Sequence, residues 1–125
     1  MKHKNYCVVC DGGKRSGMTY GSFALFDLNG VQVEHHFMIF GFGTSLEAEF
    51  IALLNAVDLC IDRGYKRVIF KTDSMEMIKH LNGTSDTKKQ QLRALSKWIN
   101  GRLKKLEFYQ LIKVPRKDIK KVLGH

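Results

Sequence analysis

Three acidic residues occupy positions from which one chain could hold a divalent cation. Asp11 ends an apolar, β-branched run at residues 6–10, and Asp73 ends a second such run at residues 68–72. Both runs are typical of buried β-strands. Because open α/β sheets place their sites at the carboxyl ends of strands, we expect the two carboxylates at the same sheet edge. With Glu49 on the helix between them, the spacing predicts a shared cation site.

Glu49 has to be distinguished from Glu47, which lies two residues earlier in the same predicted helix. Residues 44–47 read Thr-Ser-Leu-Glu, a capping box, so Glu47 is expected to bond the free amides of the first turn. The positions at helical spacing from Glu49 are apolar: Ala52, Leu53, Ala56 and Cys60. Glu49 therefore leads the face that packs on the sheet, where a carboxylate needs a cation or a polar partner. A solvated place at the rim of the sheet is the alternative for Glu49 taken alone.

The bulk properties predict one domain spanning residues 1–125. A chain of 125 residues with 44% hydrophobic residues has the size of a single core. Residues 1–5 are too few and too polar for a signal peptide, and no apolar run approaches membrane length. We therefore expect a soluble, cytoplasmic, monomeric protein with no membrane partner.

The three cysteines are expected to be reduced thiols packed in the core. Cys7 and Cys10 have the spacing of a redox or zinc pair, but residues three apart on a strand point to opposite faces of the sheet. A structural zinc site needs about four ligands, and the sequence has no second pair. A redox or small-molecule function built on these thiols is the weaker alternative.

The formal net charge is +9, from 21 Lys and Arg against 12 acidic residues, which predicts a polyanionic partner. The excess lies late in the chain. Lys89, Arg93 and Lys97 recur every four residues and so share one helix face, with Trp98 beside them. Binding to nucleic-acid phosphates is the interpretation we favour, and a merely solvated helix face is the alternative.

The coarse element order is three meandering strands, a helix, a strand, two helices, a strand and a last helical turn. Asn29-Gly30 is a strong hairpin signal between the second and third strands. A glycine turn is expected directly after the first strand. The predicted strands cover residues 5–11, 20–28, 31–40, 66–72 and 107–113, and the predicted helices cover 45–63, 74–81 and 87–105, with a final turn from Pro115.

Four short motifs follow one another on these elements: Asp-Gly-Gly at residues 11–13, Thr-Ser-Leu-Glu-Ala-Glu-Phe at 44–50, Thr-Asp-Ser at 72–74 and Val-Pro-Arg at 114–116. In order, spacing and element type they resemble the type 1 ribonuclease H fold and its reverse-transcriptase-like relatives over nearly the whole chain. The resemblance implies an α/β, ribonuclease H-like fold. Its five-stranded mixed sheet would begin with an antiparallel meander of three strands and be flanked by helices.

The resemblance also implies a chemistry. Members of this family hydrolyse the RNA strand of RNA–DNA hybrids with two Mg²⁺ or Mn²⁺ ions and leave a 5′-phosphate and a 3′-hydroxyl. Asp11, Glu49 and Asp73 would then be the catalytic residues and the metal ligands, with Asp11 bridging both ions. Carboxylate oxygens suit these hard cations, and two ions can activate a water and stabilise the departing oxygen without a protein nucleophile.

The same resemblance, together with the basic helix, implies a set of residues that contact a hybrid or another duplex. Gly12 and Gly13 would let the backbone approach the scissile phosphate, although a tight turn after the strand is the alternative interpretation of these glycines. The set comprises Gly12, Gly13, Lys14, Thr44, Ser74, Lys89, Arg93, Lys97, Trp98 and Arg116.

One departure concerns the fourth carboxylate, which the family carries in the helix after Val-Pro-Arg. Continuing the pattern leads to Leu123, or to Val122 with a shift of one residue, and neither side chain binds metal. Asp118 is the only carboxylate in this tail, and it becomes a candidate metal ligand if the helix is shifted. The alternative to an active nuclease is therefore a catalytically weak or inactive nucleic-acid-binding module.

Overall fold

The computed structural model describes residues 5–84 and 89–124, and within them the chain forms five β-strands and four α-helices. The strands are β1 (Asn5–Arg15), β2 (Met18–Phe26), β3 (Gln32–Phe42), β4 (Arg67–Thr72) and β5 (Phe108–Lys113). The helices are α1 (Ser45–Asp62), α2 (Met75–Leu81), α3 (Gln90–Leu103) and α4 (Arg116–Leu123). The predicted element order is confirmed.

The strands form one mixed sheet in the order β3-β2-β1-β4-β5. β1 pairs antiparallel with β2, and β2 pairs antiparallel with β3, whereas β4 runs parallel to both of its neighbours, β1 and β5. The predicted hairpin turns at Gly30, whose φ of 77° needs a glycine, and the Asp27 carboxylate accepts hydrogen bonds from two amides of the turn. The predicted five-stranded mixed sheet with an antiparallel start is confirmed.

The first strand is longer than the sequence suggested. Gly12 and Gly13 continue β1, paired with Gly21 and Tyr20 of β2, and the chain turns only at Ser16 and Gly17, which both have positive φ. The predicted glycine turn after residue 11 is therefore wrong. The reason is tertiary: a glycine facing glycine across the ladder leaves room for a helix to lie directly on the sheet.

The two faces of the sheet carry separate cores, because alternate residues of a strand point to opposite sides. Val8 and Cys10 belong to the main core with the buried residues of α1, whereas Val9 packs with Ile119 and Leu123 of α4. The predicted apolar stripe of α1 is confirmed, since its members are fully buried: Ala52, Leu53, Ala56 and Cys60.

The helix ends follow local signals. The predicted capping box at α1 is present, with Thr44 and Glu47 exchanging side-chain and backbone hydrogen bonds, and Gly64 ends the helix with a φ of 75°. The predicted start of the basic helix at Thr87 and Lys88, and the last residue His125, lie outside the described residues. α4 is a two-turn helix, longer than the single turn predicted. No helix in the described ranges is both long and apolar enough to cross a bilayer.

Candidate active site

Asp11 and Asp73 lie side by side where β1 and β4 stop pairing. The last paired positions of these parallel strands are Val9 and Lys71, and each aspartate lies two residues beyond its own. Equal offsets on adjacent parallel strands place both residues at the same level. The two carboxyl groups act on each other, since the charge of Asp73 raises the pKa of Asp11. The structure thus brings together the two strand-end carboxylates that the sequence placed at one sheet edge.

Gly12 brings Glu49 to the same place. A Cβ atom built on Gly12 would lie 2.5 Å from the backbone nitrogen of Glu49 and would collide with the backbone of Ala48. The first turn of α1 therefore rests on β1 immediately after Asp11. The glycine at position 12 serves this helix–sheet contact, so the tight-turn interpretation of residue 12 is wrong.

The three carboxyl groups concentrate negative charge in a largely buried place. Asp11 is 2% exposed, and burial together with the charge of Asp73 raises the pKa of Asp11 to about 6, against the opposing effect of Arg116. Burial raises the pKa of Glu49 to about 7, with the charges of Asp73 and Asp11 adding to it and a hydrogen bond from Ser74 opposing it. Such a group of carboxylates is stabilised by any cation that enters it.

The donor set fits a hard divalent ion. All three ligand candidates present carboxylate oxygens, and the Oε2 atom of Glu49 is buried without a hydrogen-bond partner among the described residues. As the side chains stand, no three His, Cys, Asp or Glu residues within 5–84 and 89–124 already form a set arranged to hold a metal ion. The three carboxylates lie near one another, but in this arrangement they do not form a complete set of metal ligands.

Arg116 holds one of these carboxylates, Asp73, in an ion pair. Its Nη1 atom donates to Oδ2 of Asp73 at 3.0 Å, in an ion pair whose arginine side chain is 57% exposed and whose aspartate side chain is 14% exposed. The hydrogen bond to Asp73 and the nearby charge of Asp11 raise the pKa of the guanidinium. The residue predicted to contact nucleic-acid phosphate therefore pairs with a predicted metal ligand.

Two other predicted duplex contacts have roles inside the fold. The Thr44 hydroxyl accepts a hydrogen bond from the Glu47 amide at 3.1 Å and caps α1. The Ser74 hydroxyl accepts from the Met77 amide at 3.2 Å and caps α2, and Ser74 is only 8% exposed. Their contact with a duplex stays a prediction.

The basic face of α3 is on the surface, as its spacing predicted. Arg93, Lys97 and Trp98 are exposed, Trp98 by 58%, while Leu92 and Ile99 on the other side are buried. Lys89 is the exposed residue that precedes the helix. Lys14 is exposed near the end of β1. The exposed basic residues of α3 form a cationic surface suited to phosphate groups.

The tail carries no carboxylate at the predicted family position. Leu123 is 6% exposed and packs with Val9, Ala24 and Ile119 in the small core beneath α4, and Val122 packs against the same cluster. Asp118 lies exposed in the first turn of α4. That Asp118 binds a metal ion stays a prediction.

The cysteines have the surroundings of core thiols. All three are free, with Cys10 and Cys60 buried and Cys7 partly so. Burial raises the pKa of Cys60 to about 12, and burial together with the neighbouring carboxylates raises the pKa of Cys10. Since thiolate is the form that binds metals and exchanges disulfides, these environments disfavour both uses.

The sequence of the chain matches a family model over residues 10–122, which is most of its length, and the family is described as reverse transcriptase-like. The chain belongs to the reverse transcriptase-like family. No curated protein sequence matches it at a significant level.

Three solved RNase H structures share this fold. The RNase H1 of the halophilic archaeon Halobacterium salinarum NRC-1 is 24% identical with a TM-score of 0.89, covering 95% of this chain and 93% of that one. The N-terminal RNase H domain of a Mycobacterium tuberculosis protein, solved as a fusion with maltose-binding protein, is 17% identical with a TM-score of 0.86 and covers 93% and 91%. LC11-RNase H1 in complex with an RNA/DNA hybrid is 19% identical with a TM-score of 0.82 and covers 93% and 89%.

Two features of this family member were missed in the sequence. Glu76, in the first turn of α2, adds its charge to the group by acting on Glu49. Its place three residues after Asp73 is a signal that could have identified it, because the first turn of a helix after a strand end faces the same edge. The glycine pair formed by Gly12 and Gly21 was also missed, and no local pattern marks it.

The metal-free protein should lose stability as the pH rises. The folded-state pKa values of Asp11 and Glu49, about 6 and about 7, exceed their ordinary values of 3.8 and 4.5. When a carboxyl group has a higher pKa in the folded protein than in the unfolded chain, raising the pH lowers the free energy of unfolding. For these two groups, stability is fully present below about pH 4 and is lost as the pH rises through 6 to 7. Urea midpoints measured in EDTA across this range should show the decline, and Asp11→Asn should flatten it. An equal decline in both proteins would contradict the assignment.

Proposed function

We propose that the protein is a metal-dependent endonuclease that hydrolyses the RNA strand of RNA–DNA hybrids. The observation that carries the proposal is the convergence of Asp11, Glu49 and Asp73 from β1, α1 and the end of β4. Support also comes from the fold, which is that of a solved RNase H1 in complex with an RNA/DNA hybrid.

The proposed ligands of Mg²⁺ or Mn²⁺ are these three carboxylates, with two ions expected when substrate is bound. The ions would supply activation of a water and stabilisation of the departing oxygen. The chain's own residues hold the geometry: Gly12 lets Glu49 reach Asp11, and Ser74 favours the ionised form of the Glu49 carboxylate. Lys14 and the basic face of α3 are cationic surfaces on which a duplex backbone can lie.

The direct test is cleavage of an end-labelled RNA–DNA hybrid by purified protein in Mg²⁺, in Mn²⁺ and in EDTA. We expect cleavage of the RNA strand with 5′-phosphate and 3′-hydroxyl ends in metal and none in EDTA. Because the position of a fourth carboxylate holds Leu123, the ions have fewer protein oxygens, and activity should be higher in Mn²⁺ than in Mg²⁺. Equal cleavage in EDTA would reject a metal mechanism.

A second candidate function is a nucleic-acid-binding module with little or no catalysis. It is favoured by the buried, apolar Leu123 and by the ion pair that engages Asp73 with Arg116. In that case the protein would bind hybrid tightly but leave it intact in both metals. The same cleavage assay, read together with a binding assay on the same hybrid, separates the two functions.

The basic face of α3 should bind phosphates without reading bases. Replacing Lys89, Arg93 and Lys97 by Ala should weaken hybrid binding equally for unrelated sequences. It should also reduce the slope of log affinity against log salt by roughly one unit per lost phosphate contact. The measurement is fluorescence anisotropy at several salt concentrations.

A matched control removes three charges from α4 on the opposite face of the sheet, by replacing Lys117, Lys120 and Lys121 with Ala. Its salt slope should change less than that of the α3 variant. Equal slopes for the two triple variants would show that only total charge matters, and the solvated-face interpretation of α3 would then stand.

A further inference from the structure

One positively charged side chain, Arg116, already lies against the group of carboxylates. Arg116 donates to Oδ2 of Asp73 at 3.0 Å and acts electrostatically on Asp11 as well. The three carboxylates proposed as ligands, when ionised, and one guanidinium leave a net charge of −2, which a single divalent ion balances. Arg116 is also the first residue of α4, so its backbone is held by the helix while its exposed side chain is able to turn away.

We infer that Arg116 acts as a built-in counter-ion that takes the place of a second divalent cation in the nucleic-acid-free protein. The free protein then binds one divalent ion, and a second ion enters only when the ion pair between Arg116 and Asp73 opens. This inference rests on the proposed function, since it assigns Asp11, Glu49 and Asp73 as ligands.

The ion pair gives the site a way to respond to a polyanion. The hydrogen bond between Arg116 and Asp73 joins one guanidinium nitrogen, Nη1, to one carboxylate oxygen, Oδ2. A backbone phosphate has two anionic oxygens that can accept two parallel hydrogen bonds from a guanidinium, and a duplex presents many such phosphates. When Arg116 turns to a phosphate, Asp73 regains a free carboxylate edge, and the group regains the charge that attracts a second cation. Loading of the second ion is thereby coupled to arrival of the duplex.

The test counts Mn²⁺ ions by isothermal titration calorimetry, and by the electron paramagnetic resonance signal of free Mn²⁺, on metal-free protein at pH 8 without nucleic acid. The expected result is about one additional bound Mn²⁺ per chain in Arg116→Gln compared with the wild type. Arg116→Lys keeps the charge and should bind as many ions as the wild type. Because the Arg116 side chain is 57% exposed, these variants should fold, which circular dichroism checks.

Lys117→Gln is the matched control, since it removes the same charge from the neighbouring, exposed position of α4. If Lys117→Gln gains as much Mn²⁺ as Arg116→Gln, or if neither gains any, the inference is overturned. Asp11→Asn separates this failure from that of the proposed function. Loss of Mn²⁺ binding in Asp11→Asn without a gain in Arg116→Gln overturns only the role of Arg116. Unchanged binding in Asp11→Asn overturns the proposed site itself.

Discussion

Asp11→Asn should reduce hybrid cleavage by at least about 10³-fold, because the metal ions are asked to supply several kcal/mol of transition-state stabilisation. The same change should weaken Mn²⁺ binding, since it removes an anionic oxygen from the centre of the group. It should raise the metal-free free energy of unfolding at pH 8 by about 1–2 kcal/mol, because a buried carboxylate with a pKa of about 6 is ionised there at a cost. Activity, calorimetry and urea denaturation measure the three effects.

Activity and Mn²⁺ affinity should fall while metal-free stability rises, and this combination makes the prediction specific. A substitution that merely damaged the fold would lower activity and stability together. Asp62→Asn, the same chemical change at an exposed position near the end of α1, is the control and should alter stability by less than about 0.5 kcal/mol. Lower activity with lower metal-free stability in Asp11→Asn would contradict the assignment of Asp11 to a repulsive, cation-binding group.

Gly12→Ala should be the most destabilising single methyl addition in this part of the sheet. The added Cβ would lie 2.5 Å from backbone atoms of α1, which cannot rotate away as a side chain can. Overpacking of this kind costs about 3 kcal/mol or more, and relief requires α1 to shift away from β1. Because Glu49 lies in the displaced turn of α1, Mn²⁺ affinity should fall as well. Urea denaturation and calorimetry measure both quantities.

Gly101→Ala is the matched control. Gly101 lies inside α3, and a Cβ built there meets no atom within 4 Å apart from its own stretch of helix backbone, so alanine should raise the free energy of unfolding by about 0.5–1 kcal/mol. A Gly12→Ala protein as stable as the wild type would show that α1 does not rest on β1 as closely as described. Lost stability with unchanged Mn²⁺ affinity would show that Glu49 does not depend on this contact.

Much of the fold follows from short-range patterns in the sequence. The alternating runs of the strands, the Asn29-Gly30 turn, and the cap and end of α1 at Thr44 and Gly64 are decided by neighbours a few residues apart. The apolar stripe that follows Glu49 is equally local, because helical periodicity alone places its members on one face. These features were predicted and are present.

The site was predictable only in part. Asp11 and Asp73 could be placed at one sheet edge because both end strand-like runs, and parallel strands end together. Glu76 and the buried packing of Leu123 were not foreseen, since each depends on which element lies beside it.

The sequence by itself therefore determined the element order, the sheet class and the candidate carboxylates. Only the tertiary structure decided that Gly12 belongs to a strand, because glycine also favours turns and the deciding contact is with α1, remote in the chain. The tertiary structure also decided that Arg116 pairs with Asp73, which lies 43 residues earlier in the chain. A charged side chain takes the nearest opposite charge that folding offers, and no spacing rule along the chain specifies that partner.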